Sequence, residues 1–154
     1  MSEPLPPVFA DWFAARGWRL RPHQAEVLAA ARAGESALVI APTGGGKTLA
    51  GFLPSLVELA EGRERPSPHT LYISPLKALA TDIARNLETP VREMGLDVRV
   101  ETRTGDTPQN RRQRQRKHPP HILLTTPESL ALLLAYPDAG AYFAGLKRVV
   151  VDEL

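Results

Sequence analysis

The sequence predicts an α/β fold with a mostly parallel sheet, and two patterns carry that prediction. Short apolar runs alternate with amphipathic stretches along the chain, which is typical of strands joined through crossover helices. A glycine-rich turn, residues 41–48, stands between one apolar run and one amphipathic stretch. Strand, glycine-rich turn and helix in that order form a unit that binds phosphate groups.

Five runs have the apolar or alternating pattern of strands. They are Ser36 to Ile40, Thr70 to Ser74, Asp97 to Thr102, Ile122 to Thr125 and Arg148 to Val151. Helical stretches lie between them, so each pair of successive strands is expected to be joined by a crossover.

Capping residues and apolar spacing predict the helices. Pro22 suits the first position of a helix that Gly34 terminates. Residues 79–87 place an apolar side chain at every fourth position, and Pro90 is expected to end or kink that helix. Thr107 is expected to cap a short helix with a basic end. Basic side chains at the end of a helix interact favourably with its dipole, which is sufficient to explain this basic run. Direct contact of these side chains with phosphate is the alternative.

Length and charge limit the possible functions. A chain of 154 residues provides one domain, and 19 basic against 17 acidic residues leave a net charge of only +2. Any contact with nucleic acid must therefore come from a local groove. Cysteine is absent, which excludes a disulfide framework. The four histidines lack metal-ligand spacing and are interpreted as surface or loop residues: His23, His69, His118 and His121.

The sequence contains no signal for a membrane or for secretion. The start of the chain is acidic and proline-rich, whereas a secretory signal needs a basic start and an apolar core. No apolar run approaches the ~20 residues that span a bilayer. We expect a cytoplasmic protein without a membrane partner.

The glycine-rich turn has the chemistry of a polyphosphate site. Consecutive glycines let the backbone approach phosphate oxygens without a Cβ, and a lysine adds a positive charge for the β and γ phosphates. The hydroxyl that follows is a ligand for Mg²⁺. The residues predicted to bind the nucleotide here are Thr43, Gly44, Gly45, Gly46, Lys47 and Thr48.

Two carboxylates follow the last apolar run. Asp152 is predicted to hold Mg²⁺, directly or through water, and Glu153 to accept a proton from the attacking water or to orient it. Ligands of parallel α/β sheets lie at the carboxyl ends of the strands, which is where both acids and the glycine-rich turn are expected. Lys47, Thr48, Asp152 and Glu153 are thus the candidate catalytic residues.

These segments resemble the motifs of superfamily 2 helicases. Ala41-Pro42-Thr43-Gly44-Gly45-Gly46-Lys47-Thr48 is similar to motif I, with Ala41 where the common pattern has glycine. Three further segments are similar to motif Ia, a Thr-Gly-Asp element and motif Ib, which grip one nucleic-acid strand in the family. The residues implied to bind nucleic acid are Ser74, Pro75, Lys77, Thr104, Gly105, Asp106, Thr126, Pro127, Glu128 and Ser129.

Arg21-Pro22-His23-Gln24 resembles the glutamine element that reads adenine in these enzymes. The amide of Gln24 can both donate and accept a hydrogen bond, as adenine recognition requires. The aromatic residue that accompanies this element has three candidates, and each also fits core or helix packing: Phe9, Trp12 and Trp18.

The resemblance covers residues 9–154 and is nearest to the Lhr (large helicase-related) group, within it the ligase-associated DExH-box branch. It implies a partial first RecA-like P-loop NTPase domain, with an N-terminal helical segment at about 9–34 and the P-loop core at 36–154. It also implies ATP and Mg²⁺ as cofactors, DNA as the partner, translocation or 3′-to-5′ unwinding connected to DNA repair, and a second RecA-like domain outside this chain. An RNA helicase, a small-molecule P-loop kinase and a non-catalytic nucleotide-binding module are the alternatives.

The resemblance further implies a truncated sheet. In RecA-like sheets the strand bearing motif III lies between the motif I strand and the motif II strand, and that strand would follow residue 154. Residues 36–40 and 148–151 are therefore expected about 10 Å apart, rather than about 4.8 Å, with unpaired backbone facing the gap. The isolated chain is expected to lack hydrolytic activity and to be poorly soluble or only marginally folded.

Overall fold

The α/β prediction is confirmed by the computed structural model, which describes residues 5–41, 46–62 and 67–153. Within these ranges seven helices and four strands follow one another along the chain. In chain order they are α1 (Pro7–Ala15), α2 (Pro22–Arg32), α3 (Lys47–Glu61), β1 (Thr70–Ile73), α4 (Lys77–Glu93), β2 (Val100–Arg103), α5 (Gln109–Lys117), β3 (Ile122–Thr125), α6 (Pro127–Leu134), α7 (Ala139–Tyr142) and β4 (Arg148–Val151).

The four strands form one parallel sheet in the order β2-β3-β1-β4. Thr70 pairs with Ile122 on one side and with Arg148 on the other, so the three strands begin in register. All carboxyl ends consequently meet at one edge of the sheet, where ligands of parallel α/β sheets bind.

Side chains alternate between the two faces of the sheet, and each face has its own core. Tyr72, Ile122 and Leu124 pack with the larger cluster, to which helices α1 to α4 contribute. Leu71 and Leu123 point the other way and pack with Leu133. Helices cover both faces, as the near-continuous apolar strands require.

The predicted strand at residues 36–40 is wrong. This segment has no strand assignment, and Leu38 and Ile40 are 71% and 89% exposed. A strand needs a hydrogen-bonding neighbour, and β4 pairs only with β1 in the described part of the chain. No ladder joins residues 36–40 to β4, and a cleft lies between them. The expected separation of about 10 Å stays a prediction.

Two predicted element boundaries also differ from the structure. The third predicted strand begins at Val100 rather than Asp97, because Val100 is the first residue with a partner, Ile122. Helix α4 continues through Pro90 to Glu93 instead of ending there. Pro90 is buried in the last turn, where the loss of one backbone donor is offset by packing of the following apolar residues against the core.

The prediction that Thr107 caps a helix is wrong as well. Pro108 occupies the capping position of α5. The Thr107 hydroxyl instead accepts a hydrogen bond from the backbone N–H of Thr104 at 2.9 Å. This side chain closes the turn between β2 and α5, which is one of the segments implied to bind nucleic acid.

Two of the four histidines, expected to be surface or loop residues, lie in loops but have buried side chains. His121 is 8% exposed, and its Nδ1 accepts the backbone N–H of Arg99 at 2.9 Å. His69 is 4% exposed, and its Nε2 lies 2.9 Å from Glu58 Oε2. Arg148 donates to both Glu58 oxygens, at 3.0 and 2.7 Å. The three charged or titratable side chains tie α3 to the amino ends of β1 and β4.

No helix in the described ranges has the length and apolar character needed to cross a membrane.

Candidate nucleotide and nucleic-acid site

The start of α3 carries the side chains predicted to bind phosphate. Lys47 is the first residue of the helix and is exposed, and Thr48 is half-buried. Gly46, which precedes them, has φ +76°, in the left-handed region that favours glycine. Thr43, Gly44 and Gly45 lie outside the described residues. The free N–H groups at the start of α3 are suited to an anion.

Gln24 lies directly against this helix start. Its side chain is buried, and its Oε1 accepts the backbone N–H of Arg21 at 2.9 Å. Its Nε2 donates to the carbonyl oxygen of Gly46 at 3.3 Å. One amide thus caps α2 and fastens it to the start of α3. Recognition of adenine by Gln24 stays a prediction.

The three candidate aromatic residues differ in exposure. Phe9 is fully buried in the core, and Trp12 packs against that core. Trp18 is 49% exposed and makes an edge-to-face contact with Trp12 at 5.6 Å between ring centroids. The Arg16 guanidinium lies over both indoles. Among the three, Trp18 has the largest free ring surface.

Asp152 and Glu153 follow β4 at the carboxyl edge of the sheet. The backbone N–H of Asp152 donates to Ile73 O at 3.0 Å and extends the ladder by one bond. Its side chain accepts two further bonds, from the Tyr72 hydroxyl to Oδ2 at 2.8 Å and from the Glu153 backbone N–H to Oδ1 at 2.9 Å. Burial, together with the bond to Asp152, raises the pKa of Tyr72. Its hydroxyl is therefore a permanent donor at neutral pH.

One cleft brings these groups together. It has a volume of about 1150 Å³, and Lys47, Thr48, Tyr72, Asp152 and Glu153 are among its lining residues. A carboxylate and a hydroxyl are hard oxygen ligands, and Mg²⁺ in phosphate-transfer sites uses one or two such side chains together with the phosphates. Thr48 and Asp152 therefore fit the cation that the motifs imply.

The residues implied to bind nucleic acid follow β1, β2 and β3 at the same edge. Their side chains separate into two groups. Four are buried and used within the fold, and six are exposed. The buried group is Ser74, Thr104, Thr126 and Ser129, and the exposed group is Pro75, Lys77, Gly105, Asp106, Pro127 and Glu128.

The buried hydroxyls shape the three turns. Ser74 Oγ accepts the N–H of Leu76 at 3.3 Å, and Thr104 Oγ1 accepts the N–H of Asp106 at 3.2 Å. Thr126 caps α6 by accepting the N–H of Ser129 at 3.4 Å. Exposed Lys77 and Asp106 join the first two turns through an ion pair at 3.3 Å. The turns expose residues such as Gly105 and Lys77, which suit contact with a sugar-phosphate chain.

The basic run in α5 is largely used inside the protein. Arg112 Nη2 donates to Thr104 O at 2.9 Å and to Gly105 O at 3.2 Å, which fixes the Thr-Gly-Asp turn. Arg114 pairs with Glu101, and Arg116 pairs with Asp138. This role of Arg112 was not predicted from the sequence. The only sequence signal for it is the position of Arg112 in a basic run that follows the turn.

Comparison with known families agrees with this geometry. A family model described as DEAD/DEAH box helicase matches residues 21–154. The match runs from the glutamine element to the end of the chain, and so includes Asp152 and Glu153. The chain belongs to this family. The superfamily 2 resemblance is thereby confirmed, and the RecA-like fold agrees with the structural matches below.

Relatives of the Lhr type are similar over nearly the whole chain. The ATP-dependent helicase Lhr-Core protein 2 of Thermococcus barophilus is 42% identical over 94% of this chain and 18% of its own length. The Lhr helicase/uracil glycosylase of Escherichia coli is 41% identical over 99% of this chain and 11% of its length. The chain therefore spans less than a fifth of these two helicases.

Solved structures give the same result. The Mycobacterium smegmatis helicase Lhr bound to ssDNA and AMP-PNP has a TM-score of 0.87 and 38% identity, over 96% of this chain and 20% of that one. The DUF1998 helicase MrfA bound to DNA and AMPPNP has a TM-score of 0.87 and 34% identity, over 99% of this chain and 21% of that one. The ligase-associated branch stays a prediction.

Proposed function

We propose that this DEAD/DEAH box chain is the nucleotide-binding part of a longer ATP-dependent DNA helicase or translocase. The cleft that joins Lys47 and Thr48 to Asp152 and Glu153 is the observation that carries the proposal. Phosphate-binding and water-activating groups that line one cleft are what hydrolysis of a nucleotide requires. We call the longer polypeptide the full-length protein.

The assigned roles follow from the chemistry of each side chain. Lys47 and the N–H groups of α3 hold the β and γ phosphates, with Thr43 to Gly46 as the rest of the loop. Thr48 and Asp152 hold Mg²⁺, which when bound neutralises charge that develops on the phosphates. Glu153 orients the attacking water or takes its proton. Gln24 binds adenine next to the loop.

The nucleic-acid strand is assigned to the carboxyl edge of β1, β2 and β3, across the three turns described above. Exposed backbone and the Lys77 charge would contact phosphates there. DNA is favoured over RNA because the two solved relatives described above, both more than 30% identical, are described as bound to ssDNA or DNA. A DNA-repair role and a cytoplasmic location belong to the same proposal.

Two of the earlier alternatives lose support. A small-molecule kinase does not agree with membership of a helicase family. A non-catalytic module needs no carboxylate pair facing the phosphate site, although the isolated chain is still expected to be inactive. Hydrolysis is expected to need an arginine finger from further parts of the protein, a group worth on the order of 10³ or more in rate.

The decisive experiment measures phosphate release by the full-length protein with single-stranded DNA, single-stranded RNA or no nucleic acid. We expect Mg²⁺-dependent hydrolysis of ATP that DNA stimulates more strongly than RNA. Equal stimulation by both would contradict the DNA assignment, and stimulation by RNA alone would favour an RNA helicase. No hydrolysis under any condition would contradict the enzyme assignment.

A further inference from the structure

Tyr72 is one of the residues that line the cleft. It sits in β1, is 1% exposed and pairs in the sheet with Val150. Asp152 is two residues beyond Val150 and so belongs to the same face of the sheet as the tyrosine ring. The Tyr72 hydroxyl reaches Asp152 Oδ2 at 2.8 Å.

The tyrosine ring is held as well as its hydroxyl. Phe52 of α3 packs on it, with ring centroids 5.4 Å apart. Phe52 lies in the helix that begins with Lys47 and Thr48. The donor to Asp152 is thus anchored on the same helix that carries the phosphate-binding residues, and its position does not depend on the end of β4.

The Asp152 carboxylate follows the last residue of β4, which is an edge strand in the described sheet. The next residue, Glu153, has φ 57°. A carboxylate in this place would sample several rotamers and a broad terminal torsion. The Glu153 N–H holds one oxygen and the Tyr72 hydroxyl holds the other. Each carboxylate oxygen retains a free lone pair for a cation or its water.

We propose that Tyr72 is a positioning residue, which holds Asp152 in the orientation that receives the cation of a bound Mg-nucleotide. This inference rests on the proposed function, because it takes Asp152 as a cation ligand. Tyr72 is 1% exposed, and the role assigned to it is carried through Asp152. The ring of Tyr72 packs in the core of the fold, and its hydroxyl holds Asp152.

The test is Tyr72→Phe in the full-length protein, which keeps the ring and removes the donor. The first measurement is Mn²⁺ binding in the presence of a non-hydrolysable ATP analogue. This binding is monitored through the electron paramagnetic resonance signal of free Mn²⁺. The second is the Mg²⁺ concentration that half-saturates ATP hydrolysis. We expect both constants to rise about tenfold, the effect of losing one hydrogen bond to a charged group. Binding of the analogue without metal should not change.

Tyr142→Phe is the matched control. Tyr142 is a partly buried tyrosine whose hydroxyl donates to Gln115 O at 3.3 Å, and it packs with the cluster on the other face of the sheet. This change should leave both cation constants unaltered. In an Asp152→Asn background, Tyr72→Phe should add no further change, because Tyr72 acts through Asp152.

Two substitutions with unnatural amino acids separate positioning from folding. At position 72, 4-aminophenylalanine keeps a donor and 4-methylphenylalanine fills the same space without one. The first should restore the wild-type cation constants and the second should not. Equal constants for these two proteins, or for Tyr72→Phe and wild type, would overturn the proposal. A wild-type protein without Mg²⁺-dependent hydrolysis would instead contradict the proposed function.

Discussion

Gln24 Nε2 donates to the carbonyl oxygen of Gly46, and a Cβ built on Gly46 would lie 2.6 Å from that same nitrogen. The two residues are 22 positions apart, and their contact joins the start of α2 to the start of α3. Because Gly46 has φ +76°, the backbone conformation favours glycine here, and an added Cβ would force the Gln24 side chain to shift.

Gly46→Ala is expected to weaken nucleotide binding at least tenfold and to cost about 1–2 kcal/mol of stability for the left-handed conformation alone. Gly34→Ala is the matched control, since Gly34 has φ +73° with no atom within 4 Å of the built Cβ. Equilibrium binding of a fluorescent ATP analogue and thermal melting check both variants. Equal loss of nucleotide affinity in the two would contradict a role for the Gln24 contact.

Lys47→Ala is expected to abolish ATP hydrolysis and to remove the stabilisation that Mg-ATP gives, because a charge on the β and γ phosphates is lost. Lys47 is exposed, so the fold should be retained. Thermal melting with and without Mg-ATP checks this, with exposed Lys117→Ala as the control. A Lys47→Ala protein that Mg-ATP stabilises like wild type would remove this lysine from the site.

Glu153→Gln is expected to bind Mg-ATP normally and to lose hydrolysis by at least a hundredfold, because an amide keeps the shape but takes no proton. The side chain is exposed to the cleft, and Asp152 uses only the backbone N–H of Glu153. Nucleotide affinity and single-turnover hydrolysis should therefore separate in this variant. Turnover equal to that of wild type would contradict the assignment of Glu153 to the attacking water.

Arg112→Ala is expected to weaken binding of single-stranded DNA several-fold while leaving nucleotide binding without DNA unchanged. The guanidinium holds the carbonyls of Thr104 and Gly105, and the released turn would lose its fixed backbone. Arg111→Ala removes an exposed charge from the preceding position and is the control for charge alone. If Arg111→Ala weakens DNA binding as much, the effect is electrostatic and the turn is not involved.

Acid should loosen the contact between α3 and the amino ends of β1 and β4. Burial lowers the pKa of His69, although Glu58 opposes this. Burial raises the pKa of Glu58, but the hydrogen bond and charge of Arg148 lower it by more. The pKa of Glu58 therefore lies below its ordinary value. A group whose pKa is lower in the folded state than in the unfolded state contributes stability at pH values above its unfolded-state pKa. That contribution is lost as the pH falls.

The two titrations predict an order of events on acidification. The contribution of His69 to stability is complete above pH 6.5, the ordinary pKa of histidine, and declines below that pH. The contribution of Glu58 declines only below 4.5. Melting temperature should fall between pH 7.5 and pH 5, and it should fall less in His69→Asn. Parallel curves for the two proteins would show that His69 does not cause the acid sensitivity.

The sequence determined the local chemistry because that chemistry lies in neighbouring residues. A glycine-rich turn before a helix, two acids after an apolar run and three turns with Ser or Thr hydroxyls are all patterns within eight residues. Strands β1, β3 and β4 were predicted to within one residue for the same reason, since each is a continuous apolar run.

The tertiary structure decided what depends on distant partners. Residues 36–40 have the composition of a strand but no neighbour in the described sheet, and hydrogen bonds to a neighbour are what make a strand. Tyr72 reaches Asp152 only because β1 and β4 are adjacent, and Arg112 reaches the Thr104 turn only because α5 folds back on it. Burial of His69 follows from the same packing, because sequence spacing carries no information about which strands meet.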